Sequence, residues 1–129
     1  MDLPLDLLYT KEHEWVKLDG TTATVGITDY AQSSLGDIVY VELPKPGASL
    51  EQFAQMGVIE SVKAVSDIYA PVGGTIVEIN GDAENDPAKV NSEPYTGGWL
   101  VKIKLADASQ AKNLLDAAGY QKVVDAAAG

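Results

Sequence analysis

The sequence predicts a single domain folded as an all-β sandwich or flattened barrel, with helices at its periphery. Three observations carry that prediction. Short β-prone runs succeed one another with turn residues between them. One of these turns is Asp19-Gly20, set between two such runs; both residue types tolerate positive φ, which makes the pair a strong hairpin signal. After Leu105 the apolar pattern changes from alternation to helical spacing. The order is thus many short strands, one early short helix, then a helical tail.

Taken in order, Glu14–Leu18 and Thr22–Ile27 are the arms of the Asp19-Gly20 hairpin. Thr28 has the chemistry of an N-cap for a short helix through Leu35, and Gly36 that of its stop. Ile38–Leu43 reads as a strand, ended by Pro44-Lys45-Pro46-Gly47, where proline excludes ladder pairing. Met56–Val62 and Asp67–Pro71 are two further strands joined by a turn carrying Lys63. Gly73-Gly74 turns the chain into a strand over Thr75–Asn80. A polar stretch, Gly81–Glu93, follows, with one helical turn expected at Pro87. Over Trp99–Leu105, residues Trp99, Val101, Ile103 and Leu105 share one face, and Lys102 and Lys104 the other. Asp107-Ala108-Ser109-Gln110 has capping-box spacing, and Leu114, Leu115 and Ala118 continue at helical spacing up to Gly119; a second short helix is expected over Tyr120–Ala127. The chain therefore divides into a β core over 1–105 and a helical tail over 106–129.

Composition narrows function mainly by exclusion. With 46% hydrophobic and 22% charged residues, the 129-residue chain can bury a core as one domain of ordinary size. Nineteen acidic against nine basic residues give a net charge of -10, which repels phosphate backbones and anionic lipid and favours basic protein partners. Nucleic-acid and membrane-surface roles are accordingly not expected. The absence of cysteine removes disulfides, thiolate nucleophiles and thiolate metal sites together. Residues 1–6 lack the basic start of a signal peptide and the arginine-rich character of a transit peptide. The chain reads as cytoplasmic, or as a mature form whose leader has been removed.

The informative stretch runs from Gly57 to Ile76. Two half-buried strands present a lysine at their joining turn, where its amine is open to a modifying enzyme and a rigid sheet fixes the root of a swinging arm. Ser61, Ala64 and Ser66 are small and keep the approach open. An ordinary solvated lysine at a hairpin tip fits the same spacing, and spacing alone does not choose between the two.

Glu60-Ser61-Val62-Lys63-Ala64, then Ser66-Asp67, then Ala70-Pro71 with Gly74 and Ile76, closely resembles the lipoyl-attachment region of the glycine cleavage system H proteins. Further blocks resemble the same family in order: Thr10–Val16, Val25–Gln32, Leu35–Pro44, Val90–Tyr95 and Gly97–Trp99. The resemblance covers nearly the whole chain. It implies a fold of the lipoyl/biotinyl, barrel-sandwich type. It implies (R)-lipoic acid in amide linkage on Lys63, with Glu60, Ser61, Val62 and Ala64 as recognition residues around it. It also implies a non-catalytic, monomeric carrier. The arm of such a carrier takes an aminomethyl group from a pyridoxal-phosphate-dependent glycine decarboxylase (P-protein) and gives it up to a tetrahydrofolate-dependent aminomethyltransferase (T-protein). It is then reoxidised by dihydrolipoamide dehydrogenase (L-protein). A lipoate ligase or lipoyl transferase is the implied loading partner. By the same resemblance Glu14 and Asp67, with Glu12 nearby, line a cleft that shelters the loaded arm.

Several other readings are weaker. A lipoyl domain of a 2-oxo acid dehydrogenase usually has Asp before the lysine, and a biotin carrier has methionines on both sides; here Val62 and Ala64 flank Lys63. A small acidic enzyme using Glu12, Glu14 or Asp67 lacks a complete site, whereas an H-like protein serving lipoate relay shares the same lysine. His13 is the sole histidine; on a strand it would face away from Glu12 and Glu14, so no metal site is expected. Trp15 and Trp99 are expected in packing. By the same resemblance Tyr30 stands at a position where histidine is expected; tyrosine loses titration near neutral pH, which weakens a proton-relay reading of that position.

Overall fold

The computed structural model describes residues 2–128. Its strands are β1 (Leu8–Tyr9), β2 (Glu14–Asp19), β3 (Thr22–Ile27), β4 (Ile38–Glu42), β5 (Ser49–Leu50), β6 (Gln55–Ser61), β7 (Val65–Tyr69), β8 (Gly74–Ile79) and β9 (Val101–Leu105). Its α-helices are α1 (Asp29–Leu35), α2 (Gly81–Asn85), α3 (Ala88–Ser92) and α4 (Ala117–Ala128). Among the described residues the strands form two antiparallel sheets, one ordered β1-β2-β3-β9-β8-β5 and one ordered β4-β6-β7. This is the flattened barrel-sandwich anticipated from the sequence, open rather than closed.

Inward-facing side chains of both sheets fill the space between them, and over Val101–Leu105 they follow the alternation read from the sequence. Val16, Val25, Ile76 and Ile103 come from the larger sheet, and Ile38, Val41, Ile59 and Ile68 from the smaller; all are buried in one cluster. Each contributes roughly 1.5–3 kcal/mol by leaving water. A second cluster, Leu7, Tyr9, Trp15, Ala117, Tyr120 and Val124, attaches α4 to the outer edge of the larger sheet. Gly26 lies opposite Trp15 in the β2–β3 ladder, and a Cβ there would stand 2.6 Å from the indole. The ring packs flat over that strand only because the position is glycine.

The first helix forms as read, and the first hairpin forms with its turn one residue later than read: Asp19 pairs with Thr22, so Gly20-Thr21 make the turn, with Gly20 at φ 62. Thr28 accepts from Ala31 N at 3.2 Å, and Gly36 ends α1 at φ 78. Proline and turn residues after β4 close that strand at Glu42.

Four expectations change. The polar stretch after β8 is not one turn but two short helices, α2 and α3, because Asn80 caps Asp82 N at 3.2 Å while its amide donates to Gly97 and Trp99 carbonyls. Asp107 does cap a helix, accepting from Ser109 N at 3.0 Å, but the helix is a 3-10 turn over Ala108–Asn113. Leu115 is not helical: it exchanges two 2.7 Å backbone bonds with Tyr9, an isolated bridge that extends β1. Finally, α4 begins at Ala117 rather than Tyr120, with Asp116 Oδ1 accepting from Gly119 N at 2.7 Å, so Gly119 opens a helix instead of ending one. For Asn80 and Leu115 the deciding partners, Gly97, Trp99 and Tyr9, are remote in the chain and local spacing does not reveal them, whereas the Asp107 and Asp116 caps are local.

Candidate functional site

The β6–β7 hairpin turns on three residues, Val62, Lys63 and Ala64. Ser61 builds that turn. Its hydroxyl oxygen lies 3.3 Å from Lys63 N and 3.0 Å from Ala64 N, and its backbone N donates to Ala64 O at 2.8 Å. A serine can satisfy the orphan donors of a tight turn in this way without bulk. Val62 N donates to Asp37 O at 3.0 Å, tying the tip to the start of β4. Val62, Lys63 and Ala64 are all exposed, whereas Glu60 is half-buried.

The Lys63 stem leans toward α1: a Cβ on Gly36 would lie 3.6 Å from Lys63 Cε. The platform beneath is held by Asn91 of α3. Its side chain donates to Gly36 O at 2.8 Å and to Gln32 Oε1 at 3.0 Å, and accepts from Ile38 N at 2.9 Å. Asn91 thus joins the end of α1 to the start of β4. It is a positioning residue that no local signal marked, because its partners are 53 to 59 positions away.

Beside the tip, a cleft of about 240 Å³ runs between α1 and the inner face of β7. Its walls include Ile27, Leu35, Ile59 and Ile68, with Glu12, His13, Glu14 and Asp67 as the ionisable residues. The structure therefore brings together all three carboxylates singled out from the sequence, but in different states. Glu12 is exposed. Glu14 is only 2% exposed; its Oε1 accepts from the Thr10 hydroxyl at 2.5 Å and its Oε2 from Tyr69 N at 3.2 Å. It thereby links β2 of one sheet to the edge of β7 in the other. Burial pushes its pKa up to about 7, although both hydrogen bonds favour the ionised form. Asp67 is exposed, and strand parity turns it away from Ser66 and Ile68; its carboxylate accepts from Gln55 Nε2 at 2.9 Å. Asp67 borders the cleft from the far side of the edge strand.

His13 departs from the expected strand alternation. Strand β2 starts at Glu14, and His13 has φ 74, so residues 12–14 turn rather than alternate. The imidazole Nδ1 lies 2.7 Å from the Tyr120 hydroxyl, which lies 2.7 Å from the Thr28 hydroxyl. With the ring neutral and protonated on Nε2, Tyr120 donates to His13 Nδ1 and the Thr28 hydroxyl, which also accepts from Ala31 N, donates to Tyr120; protonation on Nδ1 reverses the chain. Burial lowers the His13 pKa, against the pull of Glu12, in keeping with a neutral ring. Among the described residues no group of acidic or histidine side chains has the geometry to hold a metal. One tyrosine in α4 thus anchors both a wall of the cleft and the N-cap of α1, a role invisible in the sequence.

A second, larger cavity of about 510 Å³ lies beyond Glu12, between Phe53, Tyr69, Leu115 and Val123. The two tryptophans pack as expected: Trp15 is buried with its Nε1 donating to Pro94 O at 2.8 Å, and Trp99 is half-buried under the Lys102 amine.

A two-sheet sandwich that raises one lysine on a tight hairpin beside a cleft defines the class of barrel-sandwich domains. Comparison with known proteins gives the particular family. The family model described as "Glycine cleavage H-protein" matches residues 7–127, and the chain belongs to that family. It is 56% identical over 124 residues to the glycine cleavage system H protein of Opitutus terrae, covering 95% of this chain and 98% of that one. It is 52% identical over 128 residues to a glycine cleavage system H protein of Thermus thermophilus, covering 99% of this chain and 100% of that one. Among solved structures, a glycine cleavage system H protein from Mycobacterium marinum superposes with a TM-score of 0.88 at 37% identity, covering 95% of this chain and 99% of that one.

Proposed function

We propose that this protein is the lipoate-bearing carrier of a glycine cleavage system, with the arm in amide linkage on Lys63. The observation that supports the reading most is the tip itself: an exposed lysine on a serine-built turn, its stem directed toward an adjoining cleft. The residues present fit the group, since an exposed amine accepts an acyl chain and the cleft beside it has apolar walls of Ile27, Leu35, Ile59 and Ile68. When bound, the lipoyl group supplies the sulfur chemistry this cysteine-free chain lacks, accepting an aminomethyl unit from the glycine decarboxylase, passing it to the folate-dependent aminomethyltransferase, and being reoxidised by dihydrolipoamide dehydrogenase.

What the chain's own residues do follows from their geometry. Lys63 anchors and, through its four-carbon stem, gives reach. Ser61 and Asn91 hold the anchor still relative to the cleft. Ile27, Leu35, Ile59 and Ile68 exclude water from whatever lies between α1 and β7. Glu14, ionised above about pH 7, offers negative charge to a cationic amine, with Glu12 and Asp67 at the rim. The carrier itself breaks no bond and works in the cytoplasm as a monomer.

Incubation with a lipoate ligase, lipoate and ATP should add one lipoyl mass, mapped to Lys63 by peptide analysis. The lipoylated protein, and not Lys63→Ala, should support exchange of labelled bicarbonate into glycine with the decarboxylase. An adduct elsewhere, or exchange by the alanine variant, overturns the assignment.

A further inference from the structure

The outer face of the smaller sheet combines exposed apolar side chains with acidic ones. Strand pairing lines up two rows across β4, β6 and β7: Tyr40–Glu60–Val65 next to the tip, and Glu42–Val58–Asp67 one step further away. Partners in a row point to the same side; of the opposite-facing row between them, Val41 and Ile59 are buried and Ser66 at the edge is exposed, and Ile68 one step beyond is buried. Large apolar groups are left in water here to an unusual degree. Tyr40 is 47% exposed and Val65 66%, and the adjoining Val39 and Val62 are 56% and 70% exposed. Isolated exposed hydrophobics are ordinary; a gathering of four at one end of one sheet is the signature of a contact surface.

The charge around this patch has one sign. Glu42, Glu60 and Asp67 stand on the same face, Asp37 lies at its edge, and none of the three strands contains a lysine or arginine. The sole lysine at this end is Lys63 itself. A complementary partner therefore presents an apolar ledge bordered by lysine or arginine.

Reach decides which partner must use it. An enzyme that acylates Lys63 has to bring the Nζ atom to its own reacting carbonyl, so its surface approaches within one lysine stem of the tip. Enzymes acting on the far end of a completed arm stand off by the length of that arm. We infer that the Tyr40–Val65 face of β4-β6-β7 is the docking surface for the enzyme that loads Lys63, received there by an apolar, basic-rimmed surface. This rests on the lipoyl-lysine reading and goes beyond it, because it extends recognition from the tip to β4. In the loading step the Nζ lone pair attacks the carbonyl of a lipoyl-adenylate. The bond to the adenylate oxygen breaks, AMP leaves, and the amine gives up a proton.

The test uses the full chain, a lipoate ligase, lipoate and ATP, with initial rates of Lys63 acylation read by mass spectrometry over a range of carrier concentration. Tyr40→Lys, Val65→Lys and the double variant place like charge against the expected basic rim. Val77→Lys, at a 49% exposed position on β8 of the other sheet, is the control. The double variant should raise KM about tenfold or more with kcat nearly unchanged, the pattern of a lost docking contact. Val77→Lys should match the wild type, and added salt should raise the wild-type KM. Equal KM values for all variants, or an equal rise in Val77→Lys, overturn the inference. So does normal acylation of the double variant followed by failure in the decarboxylase exchange, which would give the face to a later partner. Failure of the wild type to be acylated at Lys63 at all would instead remove the lipoyl-lysine reading itself.

Discussion

Glu14 offers the sharpest test of how the structure sets chemistry, because one buried carboxyl ties the two sheets together. In the unfolded chain it titrates near the ordinary 4.5; in the fold burial raises it to about 7. Each tenfold step in that ratio is worth about 1.4 kcal/mol, so ionising Glu14 costs the native state roughly 3 kcal/mol. The sign follows from the direction of the shift. A carboxyl with a raised folded pKa contributes its stability below the unfolded value and loses it as pH rises through the folded one. Most of the loss, about 2.5 kcal/mol, falls between pH 5 and 8. Glu14→Gln removes the titration; because the Thr10 hydroxyl already accepts from Glu12 N and Glu14 N, the amide satisfies only one of the two carboxylate contacts, a pH-independent loss that leaves the pH-dependent part of the comparison intact. Urea unfolding of both proteins at several pH values between 5 and 8 measures the difference. The gap between them should move in favour of the glutamine variant by about 2.5 kcal/mol across that window, or roughly 10 °C in Tm. His13 titrates in the opposite sense: its lowered pKa contributes stability above its ordinary value of 6.5 that is lost as pH falls, and this cancels in the comparison because both proteins keep it. Parallel pH profiles for the two proteins would refute the account, since they would mean that Glu14 is ionised without penalty.

Other consequences follow from the same contacts. Asn91→Ala should cost about 2 kcal/mol or more in chemical unfolding, because it strands Ile38 N and the Gly36 carbonyl together; it should also raise amide exchange at the tip. Tyr120→Phe keeps the 4.9 Å ring stack on Tyr9 but removes both hydroxyl contacts, for an expected loss of about 1–3 kcal/mol. In the wild type, 15N spectra of the single histidine should show a neutral ring protonated on Nε2 at pH 7; a ring protonated on Nδ1 would mean that His13 donates to Tyr120 and Tyr120 to Thr28, the reverse order. Gly26→Ala should unfold at markedly lower denaturant, the added methyl displacing the Trp15 indole, with a quenched or shifted tryptophan emission as the optical sign.

The early hairpin, the α1 helix and the Lys63 turn were legible in the sequence because their determinants are local. Gly20 permits the hairpin turn by its positive φ, Thr28 caps the helix it precedes, and Ser61 satisfies donors two and three residues away. Alternation likewise marked Val101 and Ile103 of β9 as inward and Lys102 and Lys104 as outward, whereas Trp99, ahead of the strand, lies under Lys102 instead of sharing the inward face. The family blocks around Glu60–Ala64 then singled out Lys63 from other exposed lysines, which no local physics does.

The tertiary structure decided what depends on partners remote in the chain. It put Glu14 in the interior and Asp67 on the outer side of an edge strand, although both read as similar surface acids in the sequence. It turned His13 out of strand geometry and onto a tyrosine 107 positions away, and it gave Asn91 and Tyr120 their positioning roles. It also set Tyr40 and Val65 on one face with Glu60 between them, a surface defined only once β4 pairs with β6 and β6 with β7. Local rules govern φ, caps and faces. Burial, hydrogen-bond partnership and surface continuity are properties of the assembled sheets, and for this protein those are the properties that determine the state of the cleft.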